Sequence, residues 1–176
     1  MMIRSKRFNL YFVVAMAGLL AAGCTTPAKD RKDQAARLEM HLEVSRDSTN
    51  LGEAVPIFRE KPIMVYVEKE GFLSELSVAD AKVIELPGGF AIQLHFDRKG
   101  TWLLEEYTNQ NHGRRVAIHC DFGPELKESR WLAAPKIVKG ITDGYFTFTP
   151  DATREEADTI VLGLNNVGRE VQKHLQ

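Results

Sequence analysis

His119-Cys120-Asp121 places three side chains in a row that could act as a nucleophile, its base and an orienting acid. His41, His95 and His119 each stand on the outward, polar face of a segment of alternating apolar residues. If those segments were neighbours in matching register, three imidazoles could converge on zinc or copper, with Glu39, Glu43 and Asp121 close by in sequence. Asp97, Glu105, Glu106, Glu155 and Glu156 raise a third chemistry, paired carboxylates for acid–base work. Tyr66, Trp131 and Tyr145 raise a fourth, recognition without reaction, as aromatic anchors for a peptide strand or a partner. The chain has no G-x-S-x-G, P-loop, dinucleotide fingerprint or zinc-type cysteine spacing.

The elements that must carry these residues limit each chemistry. Asp97 to Asp121 reads as one helix running into one strand. Asp97 can accept from the first free N–H groups of the helix. Leu103 and Tyr107 share a face four residues apart, with Leu104 beside them, and Gly113 suits the left-handed position past the helix end. Val116, Ile118, Cys120 and Phe122 then alternate with Ala117, His119 and Asp121. Neighbours on a strand point to opposite faces, so Cys120 joins an inward apolar row as an inert hydrophobe while His119 and Asp121 point out. Helix caps and first-turn positions account for Asp97, Glu155 and Glu156, and Glu105 and Glu106 fall on a solvated helix flank. Core packing is the commoner fate of large aromatics such as Tyr66, Trp131 and Tyr145. We expect no catalytic set and no cofactor.

The N-terminal residues read as an address. Arg4, Lys6 and Arg7 precede an apolar run from Phe8 to Ala22, about fifteen residues and too short for a spanning helix of ~20. The run ends in Leu20-Ala21-Ala22-Gly23-Cys24, which is similar to the bacterial lipobox, although Ala21 stands where Leu is usual. The expectation is cleavage before Cys24 and its acylation, which anchors the chain to a membrane through more than one acyl chain. The competing expectation is an ordinary secretory signal cleaved at an A-x-A-like site. Thr25, where an Asp would resemble an inner-membrane retention signal, favours the outer membrane. Residues 25–37 are polar and aperiodic and read as a tether. Without Arg4, Lys6 and Arg7 the 23 Lys and Arg become 20 against 24 acids, a net charge of −4, which argues against a nucleic-acid partner. Once Cys24 is acylated, Cys120 has no disulfide partner.

The expected division is a signal peptide at 1–23, a lipidated Cys and tether at 24–37, a globular domain at 38–166 and a helical tail at 167–176. Leu38 to Val44, Ile63 to Val67, Lys82 to Leu86, Phe90 to Phe96 and Tyr145 to Thr149 alternate as strands, and Trp131 to Val138 is extended. Pro87-Gly88-Gly89 makes a hairpin. Residues 46–56 and Pro124 to Arg130 read as loops, and Leu76 to Ala81 as a helical turn capped by Ser77. Thr153-x-x-Glu156 is a capping box. It opens a helix with Ala157, Ile160, Val161 and Leu164 on one face, and Val167, Val171 and Leu175 continue that rhythm past Gly168. The predicted fold class is α+β, an antiparallel sheet with two helices packed on one face.

From Leu76 to Asn165 the chain resembles the head of the first periplasmic domain of SecD, a membrane subunit of the bacterial protein-export machinery. Ala81-Lys82-Val83 matches its A-x-V strand, and Phe96 with Lys99-Gly100 its strand and helix start. Thr108, Asn111, Gly113, Arg114, Arg115, Ala117 and Ile118 match its most specific piece, T-x-x-N-x-G-[KR]-[KR]-x-A-I. Ala133-Ala134-Pro135-Lys136-Ile137 stands in place of its APvI strand, and Phe148-Thr149 followed by Glu156-Ala157 in place of its FT-x-x-EA. SecD has six membrane helices driven by a proton gradient, and the Pro124–Arg130 loop is longer than its tight turn. The resemblance therefore implies the head, which contacts emerging polypeptides, without the motor. Together with the lipobox-like run it implies a non-catalytic, lipid-anchored protein on the periplasmic side of the bacterial cell envelope that binds a protein or an extended polypeptide. The alternatives are an envelope enzyme or metal-binding protein using the His row, and a structural envelope component. An exposed apolar or aromatic patch would mark the first, and three His nitrogens within reach of one point the second.

Overall fold

Alternating apolar residues build nine strands, and a computed structural model describes them over residues 34–46 and 52–174. In chain order the elements are β1 (Arg37–Leu42), β2 (Gly52–Ile57), β3 (Ile63–Glu68), β4 (Leu73–Ser74), β5 (Val78–Leu86), β6 (Gly89–Phe96), α1 (Arg98–Gln110), β7 (Val116–Phe122), β8 (Glu128–Ala133), β9 (Tyr145–Phe148) and α2 (Arg154–His174). Cys24, the tether through residue 33 and Leu175 lie outside the described residues.

All pairings are antiparallel, which bears out the α+β class. The strands divide into sheets of order β4-β1-β7-β8, β5-β6-β9 and β2-β3. The inward faces of the two larger sheets share one core. Leu38, Met40, Ile118 and Cys120 meet Ile92, Leu94, Phe96, Phe146 and Phe148 there, and both helices contribute, through Leu104 and through Ala157, Ile160 and Leu164. Both helix starts follow the expected capping. Asp97 Oδ1 accepts from Gly100 N at 2.7 Å. Thr153 Oγ1 accepts from Glu156 N at 3.2 Å, and Glu156 Oε2 accepts from Thr153 N at 2.7 Å. Gly113 has φ +86°, the left-handed conformation its place after α1 requires.

Three local expectations are corrected. Residues 46–56 were predicted as a loop, but Gly52–Ile57 is β2, paired from Gly52↔Glu68 to Ile57↔Ile63. Turn-forming Gly and Pro hid a strand that partner pairing stabilises. The helical turn expected over Leu76 to Ala81 is a short 3₁₀ turn, Glu75–Ser77, and β5 begins at Val78; Ser77 does not cap it. The Pro124–Arg130 loop holds a 3₁₀ turn and the first residues of β8. Past Gly168 the chain stays helical to His174, as the rhythm of Val167 and Val171 predicts.

The β2–β3 ribbon lies over the outer face of the β4-β1-β7-β8 sheet. Val55, Ile57, Val65 and Val67 pack there with Ala117 and Ala134, and half-buried Trp131 closes this second cluster. That sheet is therefore covered on both sides.

Candidate polypeptide-binding site

The second cluster decides the fate of the histidines. His41 was expected on an outward face, but it is only 4% exposed, because the face opposite Leu38 and Met40 is roofed by the ribbon. Its Nδ1–H donates to Glu68 O at 2.8 Å, and its Nε2 lies 3.3 Å from Glu39 Oε2. His119 sits across the sheet with its Nε2 3.1 Å from Ser129 Oγ. Both imidazoles stand at a steep angle to the Trp131 indole, each 5.0 Å between ring centroids. His95 is in the other large sheet, stacked on Tyr145 at 4.4 Å. The row does not converge, and among the described residues no group of three or more His, Cys, Asp or Glu could hold a metal ion.

Cys120 is fully buried. Burial raises the pKa of its thiol far above the ordinary value, the carboxylates of Asp121 and Glu75 add to the rise, and Arg130 opposes it. A thiol that stays protonated is not a nucleophile. Peptide-mapped labelling should therefore find Cys120 reacting with a thiol reagent far more slowly in the folded chain than in urea; equal rates would contradict the burial. Cys120→Ser should cost roughly 1–3 kcal/mol by burying a hydroxyl without an assured partner.

Two of the five candidate carboxylates are taken up by a cap and by ion pairs. Asp97 caps α1. Glu156 forms an ion pair with Arg130, Oε1 to Nη2 at 2.8 Å, and Arg59 Nη2 stands 3.8 Å away. Arg59 N also donates to Asp151 Oδ2 at 2.7 Å, so the ribbon end is tied to the start of α2. Burial pushes the Glu156 carboxyl up, but the Thr153 N–H, Arg130 and Arg59 together outweigh it and leave the pKa below the ordinary 4.5. A carboxylate lowered on folding adds stability above its unfolded pKa and loses it as pH falls through the folded value. Glu156→Gln should cost roughly 1–2 kcal/mol at neutral pH, and the gap to the parent should close as pH drops below the ordinary carboxylate range. Urea melts at several pH values check both.

Among the aromatics, Tyr66 is half-buried beneath the Arg46 guanidinium, 5.1 Å from its ring, and Trp131 belongs to the second cluster. Tyr145 alone of the three is exposed, at 44%. It opens β9, the outermost strand of its sheet. Beside β9 runs a groove of about 190 Å³, walled by Ile137, Val138, Ile141 and Phe146 with Lys136 and Lys139 along it. Val138 is 86% exposed. Three more exposed apolar residues, Phe58, Ile63 and Met64, stand at the ribbon end.

Sequence reasoning missed Val138, Phe58, Met64 and the exposed Trp102. For Trp102 a signal was present: Gly100, Leu104 and Thr108 form the buried line of α1, and two residues from Leu104 is the far side of a helix. For the others, local pattern carries none.

A family model described as SecDF, P1 head subdomain matches residues 52–167. Among solved structures, one described as a membrane component SecDF that enhances protein export is 24% identical with a TM-score of 0.54, covering 82% of this chain and 70% of that one. SecDF in its super-membrane-facing form is 24% identical with a TM-score of 0.55, over 82% of this chain and 21% of that one. At this identity the structural likeness speaks for the fold. No curated protein matches the chain.

Proposed function

The chain belongs to the SecDF P1 head subdomain family, and from that membership and the lipobox-like run ending in Cys24 we propose that it is a lipid-anchored protein of the bacterial cell envelope whose head domain binds extended polypeptide in protein export. It acts on the periplasmic side, attached through acylated Cys24, to the outer membrane rather than the inner. Its role is binding without a reaction. The observation that carries the reading is the exposed apolar and aromatic surface at Tyr145 and Val138 beside the edge of β9. Single exposed apolar residues are ordinary, whereas a groove flanked by them on an open sheet edge is the form in which domains take extended chains. The export context comes from the related protein described as enhancing protein export.

Affinity capture from native membranes, with the anchored chain as bait, tests the binding. Exported polypeptides in transit should be recovered, and a Val138→Asp, Tyr145→Asp double variant that melts like the parent should lose them. Equal recovery by that variant would remove the assignment to this surface. Intact mass of the native protein tests the anchor: a chain beginning at an acylated Cys24 is expected, and an unmodified Cys24 ends that part of the reading.

A further inference from the structure

The open edge of β9 and the charge of its groove together specify what would bind there. Phe96 N donates to Gly144 O at 3.0 Å, and the register runs on through Leu94↔Phe146 and Ile92↔Phe148. In an antiparallel ladder alternate residues turn their main-chain groups to the partner, so Gly144, Phe146 and Phe148 bond toward β6 while Tyr145 and Thr147 face away. The Tyr145 N–H is closed off by Asp143 Oδ1 at 3.1 Å. Among the described residues no main-chain bond reaches Thr147 from the open side. The segment across the groove is already committed elsewhere: Ile137 N donates to Arg114 O at 2.8 Å, and Gly113 N to Ile137 O at 2.9 Å. Lys136 and Lys139 line the groove, no acid does, and neither lysine has an ion-pair partner among the described residues.

We propose that this groove takes an extended polypeptide segment in which apolar and acidic residues alternate. The segment adds to β9 as a further strand. It exchanges main-chain hydrogen bonds with Thr147, places an apolar side chain against Ile141 and Phe146, and sets carboxylates near Lys136 and Lys139. Strand addition supplies affinity without regard to sequence, and the side-chain contacts supply the preference. This rests on the polypeptide-binding reading above and names the class of segment it selects.

Two labelled peptides of about twelve residues test it, one alternating Val with Glu and the other Val with Lys. Each is titrated by fluorescence anisotropy onto the full chain in detergent. The acidic peptide should bind about fivefold tighter or more, as expected for two exposed ion pairs. The difference should shrink in high salt and reverse in the Lys136→Glu, Lys139→Glu double variant. Thr147→Pro removes an outward N–H and leaves the β6 ladder, since proline is tolerated at that kind of edge position. With an unchanged melt it should bind the acidic peptide about tenfold more weakly. If it does not fold, the parent titrated with the acidic peptide N-methylated at alternate residues makes the same test, and one of the two methylation phases should lose binding. Equal affinity for the two peptides overturns the proposal, as does undiminished binding by folded Thr147→Pro or by both N-methylated peptides. A parent that binds a urea-unfolded whole polypeptide but neither peptide also overturns it, with the broader reading intact. A parent that binds none of these probes removes the broader reading itself.

Discussion

Leu164→Ala should lower the unfolding free energy by about 2–5 kcal/mol. Leu164 is fully buried on the face of α2 that enters the main core with Ala157 and Ile160. Truncation removes the transfer free energy of the lost methyl groups. It also leaves a cavity beneath a helix that packs on β5 and cannot collapse around one side chain. Thr153→Ala is the natural comparison, because it touches the same helix at its start. It removes the acceptor for Glu156 N but leaves the bond from Thr153 N to Glu156 Oε2, so the loss should be about 1 kcal/mol. Urea melts should place the two in that order. A Leu164→Ala variant as stable as the parent would mean that α2 does not pack as described.

Gly163→Ala should destabilise despite the better helix former. Away from contacts, Gly to Ala inside a helix gains about 1 kcal/mol. A Cβ at Gly163, however, would lie 2.6 Å from Ala35 C and from Ala36 N and 2.8 Å from Ala36 Cβ. Those obstacles are backbone entering β1, not the end of a flexible side chain. Overpacking of well-filled sites costs typically about 1–3 kcal/mol, and rigid backbone puts this site at or above the upper end, so steric cost wins. We expect a net loss of about 2 kcal/mol or more. Separation of residues 34–36 from α2 should accompany it, read as faster amide exchange at Ala36. Gly88→Ala should also destabilise but for a different reason, since its φ of +86° is strained for alanine while its added Cβ would meet nothing within 4 Å. Gain of stability by Gly163→Ala would show that the N-terminal segment does not lie in the notch of α2.

How far each feature was legible follows from the range of the forces that make it. Asp97 and the Thr153–Glu156 box mark helix starts within three residues. The alternation of Val116, Ile118, Cys120 and Phe122 marks a strand and correctly sends Cys120 inward. Caps and alternation are local, so they stand in the sequence directly. β2 does not, because Gly52, Glu53 and Pro56 are poor strand formers and only its ladder with β3 holds them extended.

The binding surface divides the same way. Tyr145, Phe146 and Phe148 could be read as a strand with one apolar face, and Tyr145 as a possible anchor. That β9 ends its sheet among the described residues, that the segment from Pro135 to Ile141 leaves a groove beside it, and that Lys136 and Lys139 line that groove with no ion-pair partner among those residues are long-range facts. His41 shows the reason most clearly. Alternation establishes that it lies opposite Leu38 and Met40. It cannot show whether the opposite face meets water or a second layer. The sequence by itself determined the α+β class, the helix starts, the inward row with Cys120, and the family, because periodicity, caps and motif order are properties of neighbouring residues. Only the tertiary structure decided that His41 is buried, that the three histidines stay apart and that the edge of β9 is open. Which strands pair, and what covers a face, depend on contacts between residues tens of positions apart.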